Sequence, residues 1–550
     1  MNRRRFLQSG SLAAMGAFAS RSEAAAGTAV PAAQSNSGRA HLTVVANETL
    51  GTISRNVYGQ FTEHLGSCIY DAMWVGPGSP IPNHNGLRSD TIAAFKRIQA
   101  PIIRWPGGCF ADTYHWQDGI GPRDKRPKTW NIFWDRDEPN SFGTDEYLEY
   151  CRLCGASPYI CLNVGSGTVR EALGWLEYCN GNQPTTIAQM RAANGHPAPY
   201  NVRYWSVGNE NWGCGGRFDA EEYGRRYARF TNYLGAAARN QKVEFVACGE
   251  LGGDWNQKFF ETLLQRPGAR RIEGVNHLSV HHYFFNRGPA VKFSDGEYYH
   301  LLAAAAMLES LLRKTIGVID NYTEVKGPTI GISLDEWGVW HRTQNTGRNA
   351  LMQPNTLRDA LVAAVVLNNL NNFGNRISIA CIAQAFNVLQ CMAFARGKEM
   401  VLTPTYYVFD LYQPHMDATA LRTLVDSSSF TVEEAQPGQP EEEREHEIKR
   451  PYLSASVSRN ESTGEFCLTL VNQHLTEPLE VEIQITGSEY SGGFSGTQRQ
   501  LTSGNVRDQN TFSQPSIVKA GPEKPISVKS NPFVHELAPH SVESLVLRKA

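Results

Sequence analysis

From about residue 56 to residue 387, short apolar runs alternate with amphipathic stretches. The apolar runs are Asn56–Thr62, Pro101–Trp105, Pro158–Val164, Arg203–Asn209, Val243–Gly249, His277–Tyr283, Thr329–Glu336 and Ile377–Gln384. Each has the length of a buried strand and is bounded by turn-forming or polar residues. Between them Ser89–Gln99, Thr144–Gly155, Asp219–Asn240 and Tyr298–Ile319 repeat their apolar positions with a helical period. Eight strands alternating with helices predict a (β/α)8 TIM barrel. A doubly wound sheet is the alternative, but no Gly-x-Gly-x-x-Gly follows the first strand.

From about Thr403 the pattern changes to strands without helices: Tyr452–Ser458, Glu465–Asn472, Leu479–Thr486 and Ser541–Leu547. Their alternation of apolar and polar positions predicts a C-terminal antiparallel β-sandwich of jelly-roll type. The expected organisation is therefore α/β plus all-β, with a catalytic barrel over 47–402 and a sandwich over 403–550. The alternating segment 40–46 is expected to join the sandwich as a further strand. Glu433–Arg450, rich in Glu and Pro, reads as an exposed insertion without assigned function.

Composition narrows the partners. Of 550 residues, 41% are hydrophobic and 19% charged, and a net charge of −2 offers no footprint for nucleic acid or an anionic membrane. Aromatic residues make up 10% of the chain, a hint of flat faces for sugar rings. At the N-terminus Arg3-Arg4-Arg5-Phe6-Leu7 precedes a short, weakly apolar run and the small residues Ala24-Ala25-Ala26. Residues 1–38 are thus expected to be a twin-arginine export signal and linker, making the protein periplasmic or secreted. The eleven cysteines stand mostly in apolar or helical contexts and read as small buried hydrophobes, without a required disulfide framework.

A barrel of this kind carries its chemistry at the C-terminal strand ends, where the loops converge. Those ends hold Glu63, Cys109, Asn209 with Glu210, His281 to Tyr283, Asp335 with Glu336, and Gln384. Glu210 and Glu336 follow strands four and seven, which face each other across a barrel. Paired carboxylates suit glycoside cleavage: one protonates the leaving oxygen and the other attacks the anomeric carbon or activates water. Trp205, Trp212, Trp337 and Trp340 flank the pair. Metal catalysis would need ligands the strand ends lack, since strand one carries Thr62-Glu63-His64 and strand eight ends in Gln384. In a strand His281 and His282 point to opposite sides, and one of them reads as a core histidine. Neither metal nor cofactor is expected.

Six motifs together resemble the α-L-arabinofuranosidases of glycoside hydrolase family 51. They are Phe61-Thr62-Glu63-His64-Leu65-Gly66, Ile103-Arg104-Trp105-Pro106-Gly107-Gly108-Cys109-Phe110, Val207-Gly208-Asn209-Glu210, His281-His282-Tyr283, Asp335-Glu336-Trp337 and Ile382-Ala383-Gln384. The resemblance implies a retaining enzyme that releases terminal α-L-arabinofuranosyl residues from plant polysaccharides and oligosaccharides. It implies Glu210 as general acid/base and Glu336 as nucleophile, with Glu63, Asn209, Tyr283 and Gln384 holding the sugar. Cys109 and Trp337 complete the expected substrate-binding set, although Cys109 departs from an Asn of the family pattern and is a weak donor. A homo-oligomer is in keeping with the family. An endo-β-glucanase or β-xylosidase on the same barrel is the alternative activity, and a catalytically inactive carbohydrate-binding protein the alternative of another class.

Overall fold

The computed structural model describes residues 39–269, 271–286, 288–323, 330–433 and 447–550. The export signal expected at 1–38 and most of the acidic segment expected at 433–450 lie outside these residues.

Eight parallel strands close into a barrel in chain order. They are Gly59–Phe61, Ile102–Trp105, Ser157–Leu162, Tyr204–Val207, Glu244–Cys248, His277–Asn286, Gly331–His341 and Ile377–Ala383. These are the eight strands expected, most of them with shifted ends. The sixth and seventh run several residues beyond the barrel wall, pairing from His281 with Glu336 as far as Asn286 with His341. That extension carries Tyr283 and Trp340 above the barrel mouth. Helices cover the outside, and their starts follow ordinary capping chemistry. Thr168, Asp219 and Ser294 each accept a backbone N–H of the first turn.

Several helices exceed the expected set: Val169–Asn180, Thr186–Ala193, Trp255–Leu264, Leu357–Asn371 and Pro404–Tyr412. The last lies where only strands were expected. It begins with Pro404, whose fixed φ suits a first helical turn. Every residue in it is buried, so it shows no polar face to mark it as a helix.

The C-terminal region is a nine-stranded, mostly antiparallel sheet. Ala40–Thr52 lies within it, antiparallel to Thr419–Asp426 and parallel to Leu479–Ile485. Phe466–Asn472 shows how this sheet meets the barrel. Phe466, Leu468 and Leu470 enter a separate apolar core, whereas Val471 belongs to the barrel's core. Thr469, on that barrel-facing side, donates to Asn368 Oδ1 at 2.8 Å. Ser456 donates to the same oxygen at 2.9 Å, and Asn368 Nδ2 donates to Ser454 Oγ at 3.1 Å. The helix Leu357–Asn371 is thus clamped between barrel and sheet, which explains why it is buried almost all round. Among the described residues no helix is long and apolar enough to cross a membrane.

Candidate active site

Strand direction gathers seven of the eight expected residues at the C-terminal mouth of the barrel, Trp337 being the exception. Glu336 is held on both oxygens: Arg104 Nη1 donates to Oε1 at 2.8 Å and Tyr283 Oη donates to Oε2 at 2.8 Å. Burial raises its carboxyl above the ordinary range, against the pull of His281 and Arg104. Glu210 faces it from the fourth strand, with His281 Nδ1 2.9 Å from its Oε1. Glu210 sits at φ 41° and Gly208 at φ 94°, so the chain bends sharply as it leaves the strand.

Asn209 gives its Oδ1 to Arg104 Nη2 at 2.6 Å, which fixes the amide and turns Nδ2 away from the guanidinium. Glu63 accepts Phe110 N at 3.1 Å and Trp134 Nε1 at 2.9 Å on Oε1, and Gln384 Nε2 at 3.2 Å on Oε2. Burial, then the neighbouring Glu336, push its carboxyl up to about 7. Gln384 Oε1 is buried without a protein partner, an acceptor left for a ligand hydroxyl. Carboxylate, two amides and a phenol therefore converge beside two acids.

Two of the expected residues are placed differently from the expectation: Cys109 is at the mouth without a thiol, and Trp337 points away from it. Cys109 is bonded to Cys214, 105 residues later, and has no thiol to donate. Cys214 Sγ stands 3.6 Å from Glu210 Oε2. A disulfide sulfur carries no hydrogen, so this is van der Waals contact. The expectation that the cysteines are mostly small buried hydrophobes holds for the other nine, which are free and buried, and this one bridge is the exception. Trp337 is fully buried and stacks on Phe409 of the helix Pro404–Tyr412 at 6.3 Å. Because neighbours on a strand point to opposite sides, Glu336 facing inward sends Trp337 outward. Trp205 is buried likewise, 6.2 Å from Trp175. Trp340 packs edge-on to Tyr283 at 4.9 Å. Of the two histidines, His281 faces the acids, and His282 lies 4.9 Å from Phe284.

Four further residues organise the mouth: Arg104 and Asp335, which the sequence reading names without a role, and Asp112 and Trp134, which it does not single out. Arg104 reaches Glu336 and Asn209, and its Nε lies 3.4 Å from Asp335 Oδ2. An arginine in the middle of Ile102-Ile103-Arg104-Trp105, buried and unable to lose its charge, was the available signal. Asp335, next to Glu336, bonds Tyr159 and Ser279 at 2.6 Å each. Asp112 ties three strand ends together, accepting Val164 N at 2.9 Å, Gly165 N at 2.7 Å and Asn209 N at 3.2 Å. Trp134 lies on a hairpin, Thr129–Asn131 paired with Arg136–Glu138, that nothing in the strand pattern announces.

Two groupings among the described residues have metal-ligand spacing: Glu210, His281 and Glu336, and Cys109, Glu210 and Cys214. In the first, Arg104 and Tyr283 already bond Glu336, and His281 Nδ1 lies 2.9 Å from Glu210 Oε1. In the second the two sulfurs are bonded to each other.

Comparison with known proteins identifies the family to which this fold belongs. The family model of the α-L-arabinofuranosidase 1 domain matches residues 94–294, and that of the α-L-arabinofuranosidase C-terminal domain matches residues 335–541. An intracellular exo-α-L-arabinofuranosidase of Bacteroides ovatus is 37% identical over 516 residues, covering 92% of this chain and 96% of its own. The crystal structure of the GH51 arabinofuranosidase from Xanthomonas axonopodis pv. citri superposes with a TM-score of 0.82 at 33% identity, over 93% of this chain and 100% of that one. An arabinose complex of the α-L-arabinofuranosidase from Thermotoga maritima gives a TM-score of 0.80 at 34% identity, over 92% and 99%. The Bacteroides relative is named intracellular, which overturns the expectation of an exported, periplasmic or secreted protein.

Proposed function

The chain belongs to the α-L-arabinofuranosidases of glycoside hydrolase family 51, and from that premise we propose that Glu210 and Glu336 carry a double displacement on terminal α-L-arabinofuranosyl groups. Its substrates are then arabinose-bearing plant oligosaccharides and polysaccharides. The observation that carries this reading is the closeness of the two acids: an oxygen of Glu210 and one of Glu336 lie within 4.8 Å of each other. That closeness favours retention, because an inverting pair stands about 6.5–9.5 Å apart to admit water.

In the first step Glu336 attacks the anomeric carbon while Glu210 protonates the departing oxygen. Arg104 and Tyr283, bonded to opposite oxygens of Glu336, keep it ionised and aimed. In the second step Glu210 takes a proton from water, whose oxygen displaces Glu336. Asn209 Nδ2, Glu63 and the unpartnered Gln384 Oε1 supply donors and acceptors for the furanose hydroxyls. A bond to O2 that strengthens as oxocarbenium character develops falls to Asn209, beside the acid.

Removal of each carboxylate tests the roles on an aryl arabinofuranoside whose phenolate leaves without protonation. Glu210→Ala should release a burst of phenol and then stall, because no base activates water. Azide should restore its turnover and yield the α-azide, the product of two displacements. Glu336→Ala should form no glycosyl-enzyme, and azide should give it at most the β-azide by a single displacement. An α-azide from Glu336→Ala, with Glu210→Ala inert, would reverse the assignment. An aryl xyloside and a β-glucan assayed in parallel should be poor substrates.

A further inference from the structure

His281, on the sixth barrel strand, is enclosed by carboxylates from two other strand ends. Its Nδ1 lies 2.9 Å from Glu210 Oε1 and 3.6 Å from Glu336 Oε2, and its Nε2 lies 3.2 Å from Asp335 Oδ1. Asp335 is fully buried and surrounded by donors. Ser279 bonds Oδ1, Tyr159 bonds Oδ2, and Arg104 Nε stands 3.4 Å from Oδ2. Against the cost of burial, Arg104 and His281 hold this carboxyl down at about 2. An ionised acceptor can take only a hydrogen from His281, so Nε2 carries one.

Two arrangements remain at Nδ1. A bare Nδ1 must accept a hydrogen from Glu210 Oε1, and the acid's proton then sits on the oxygen turned toward the histidine. A protonated Nδ1 donates to Oε1, and the transferable proton is left on Oε2, the other face of the carboxyl. We propose that His281 is a positioning residue for the acid/base step: as an imidazolium anchored by Asp335, it confines the proton of Glu210 to Oε2 and stabilises the carboxylate left behind. As the glycosidic bond breaks, its electron pair leaves with the aglycone oxygen, which takes the Oε2 proton. The new carboxylate keeps the charge-assisted bond from Nδ1–H. In the second displacement Oε2 takes a proton from water while the water oxygen bonds the anomeric carbon and the bond to Glu336 breaks.

The surroundings favour the charged ring. Burial opposes it, but Glu336, Asp335 and Glu210 outweigh burial and lift the imidazole to about 10. The other titratable groups nearby face its partners. Arg104 and Glu63 act on Glu336 from the second and first strand ends, Tyr283 donates to Glu336, and Cys248 lies beside Glu210. Arg104 is the other cation among these.

This inference rests on Glu210 being the acid/base, and the experiment separates the two. The basic limb of kcat/KM reports the proton of the acid in the free enzyme. His281→Asn, which removes a cation next to that acid, should move the limb upward by about one pH unit or more. It should also cost at least about tenfold more on an alkyl arabinofuranoside, which needs the proton, than on a dinitrophenyl one. An unmoved limb with equal losses on both substrates would overturn the proposal and leave His281 a merely structural residue. Ring nitrogen-15 spectra of the native enzyme decide the matter independently of that variant's folding. One histidine, identified by its response to Glu210→Gln, should stay doubly protonated above pH 8, and a neutral ring at pH 7 would overturn the proposal. Azide rescue of Glu210→Ala with a failed His281 test rejects only this inference, whereas an α-azide from Glu336→Ala rejects the reading beneath it.

Discussion

Replacing Tyr283 with Phe isolates a single bond to the nucleophile. The hydroxyl donates to Glu336 Oε2 at 2.8 Å, while Arg104 holds Oε1 at the same distance. The ring itself stays packed against Trp340 at 4.9 Å and Phe285 at 6.3 Å, so the change removes an oxygen without opening an apolar cavity. A hydrogen bond to an ionised group contributes about 1.5–3 kcal/mol, which corresponds to a loss of about 10- to 150-fold in kcat/KM. The sign of the pH effect follows from the same bond. Removing a donor to the charged form favours the neutral one, so the already raised carboxyl of Glu336 rises further. The acidic limb of kcat/KM should then move upward. The assay is the pH profile on an aryl arabinofuranoside, with a thermal melt beside it. A loss below about threefold with the acidic limb in place would show that Tyr283 does not hold the nucleophile. A large loss accompanied by a lowered melting temperature would show that the hydroxyl serves the fold instead.

Glu63, pushed up to about 7, should gain charge as pH rises through neutrality and take sugar hydroxyls more strongly. KM of the native enzyme should therefore fall across that range, and in Glu63→Gln it should be higher and flat; parallel profiles would reject this role. By linkage, whatever stability the raised pKa of Glu63 contributes is full at acid pH and lost as pH rises through about 7, so denaturant midpoints should show that decline only in the native enzyme. Thiol titration of the unfolded chain should find nine groups before reduction and eleven after it, given nine free cysteines and one bridge. Eleven groups without reductant would mean that the bridge does not form. Asp112→Asn turns an amide N–H2 toward a backbone donor it should accept. It should cost about 1–3 kcal/mol and lower kcat by loosening Asn209 and Glu210. An unchanged melting temperature and kcat would dismiss Asp112 as the tie between these strand ends.

Much of this molecule can be read from its sequence, because barrel strands are short apolar runs whose polar ends mark the catalytic mouth. Glu63, Asn209, Glu210, Tyr283, Glu336 and Gln384 all lie at such ends, and the fold brings them together. The helix Leu357–Asn371 escaped because it is covered on nearly every side, and a helix without a solvent face has no stripe to detect. Trp337 misled for the opposite reason. Its neighbour's function suggested proximity, while strand alternation sends it to the far side of the barrel wall.

What the linear chain does not contain is the identity of partners far apart in it. Cys109 meets Cys214 across 105 residues, and Arg104 meets Glu336 across 232. Local pattern determined which residues stand at the mouth, since hydrophobic period and strand ends are properties of neighbours in sequence. Only tertiary closure decided which of them touch: that Arg104 and Tyr283 share one carboxylate, and that His281 stands between both acids and Asp335. Protonation states follow from those distances and from burial, so they too belong to the folded molecule alone.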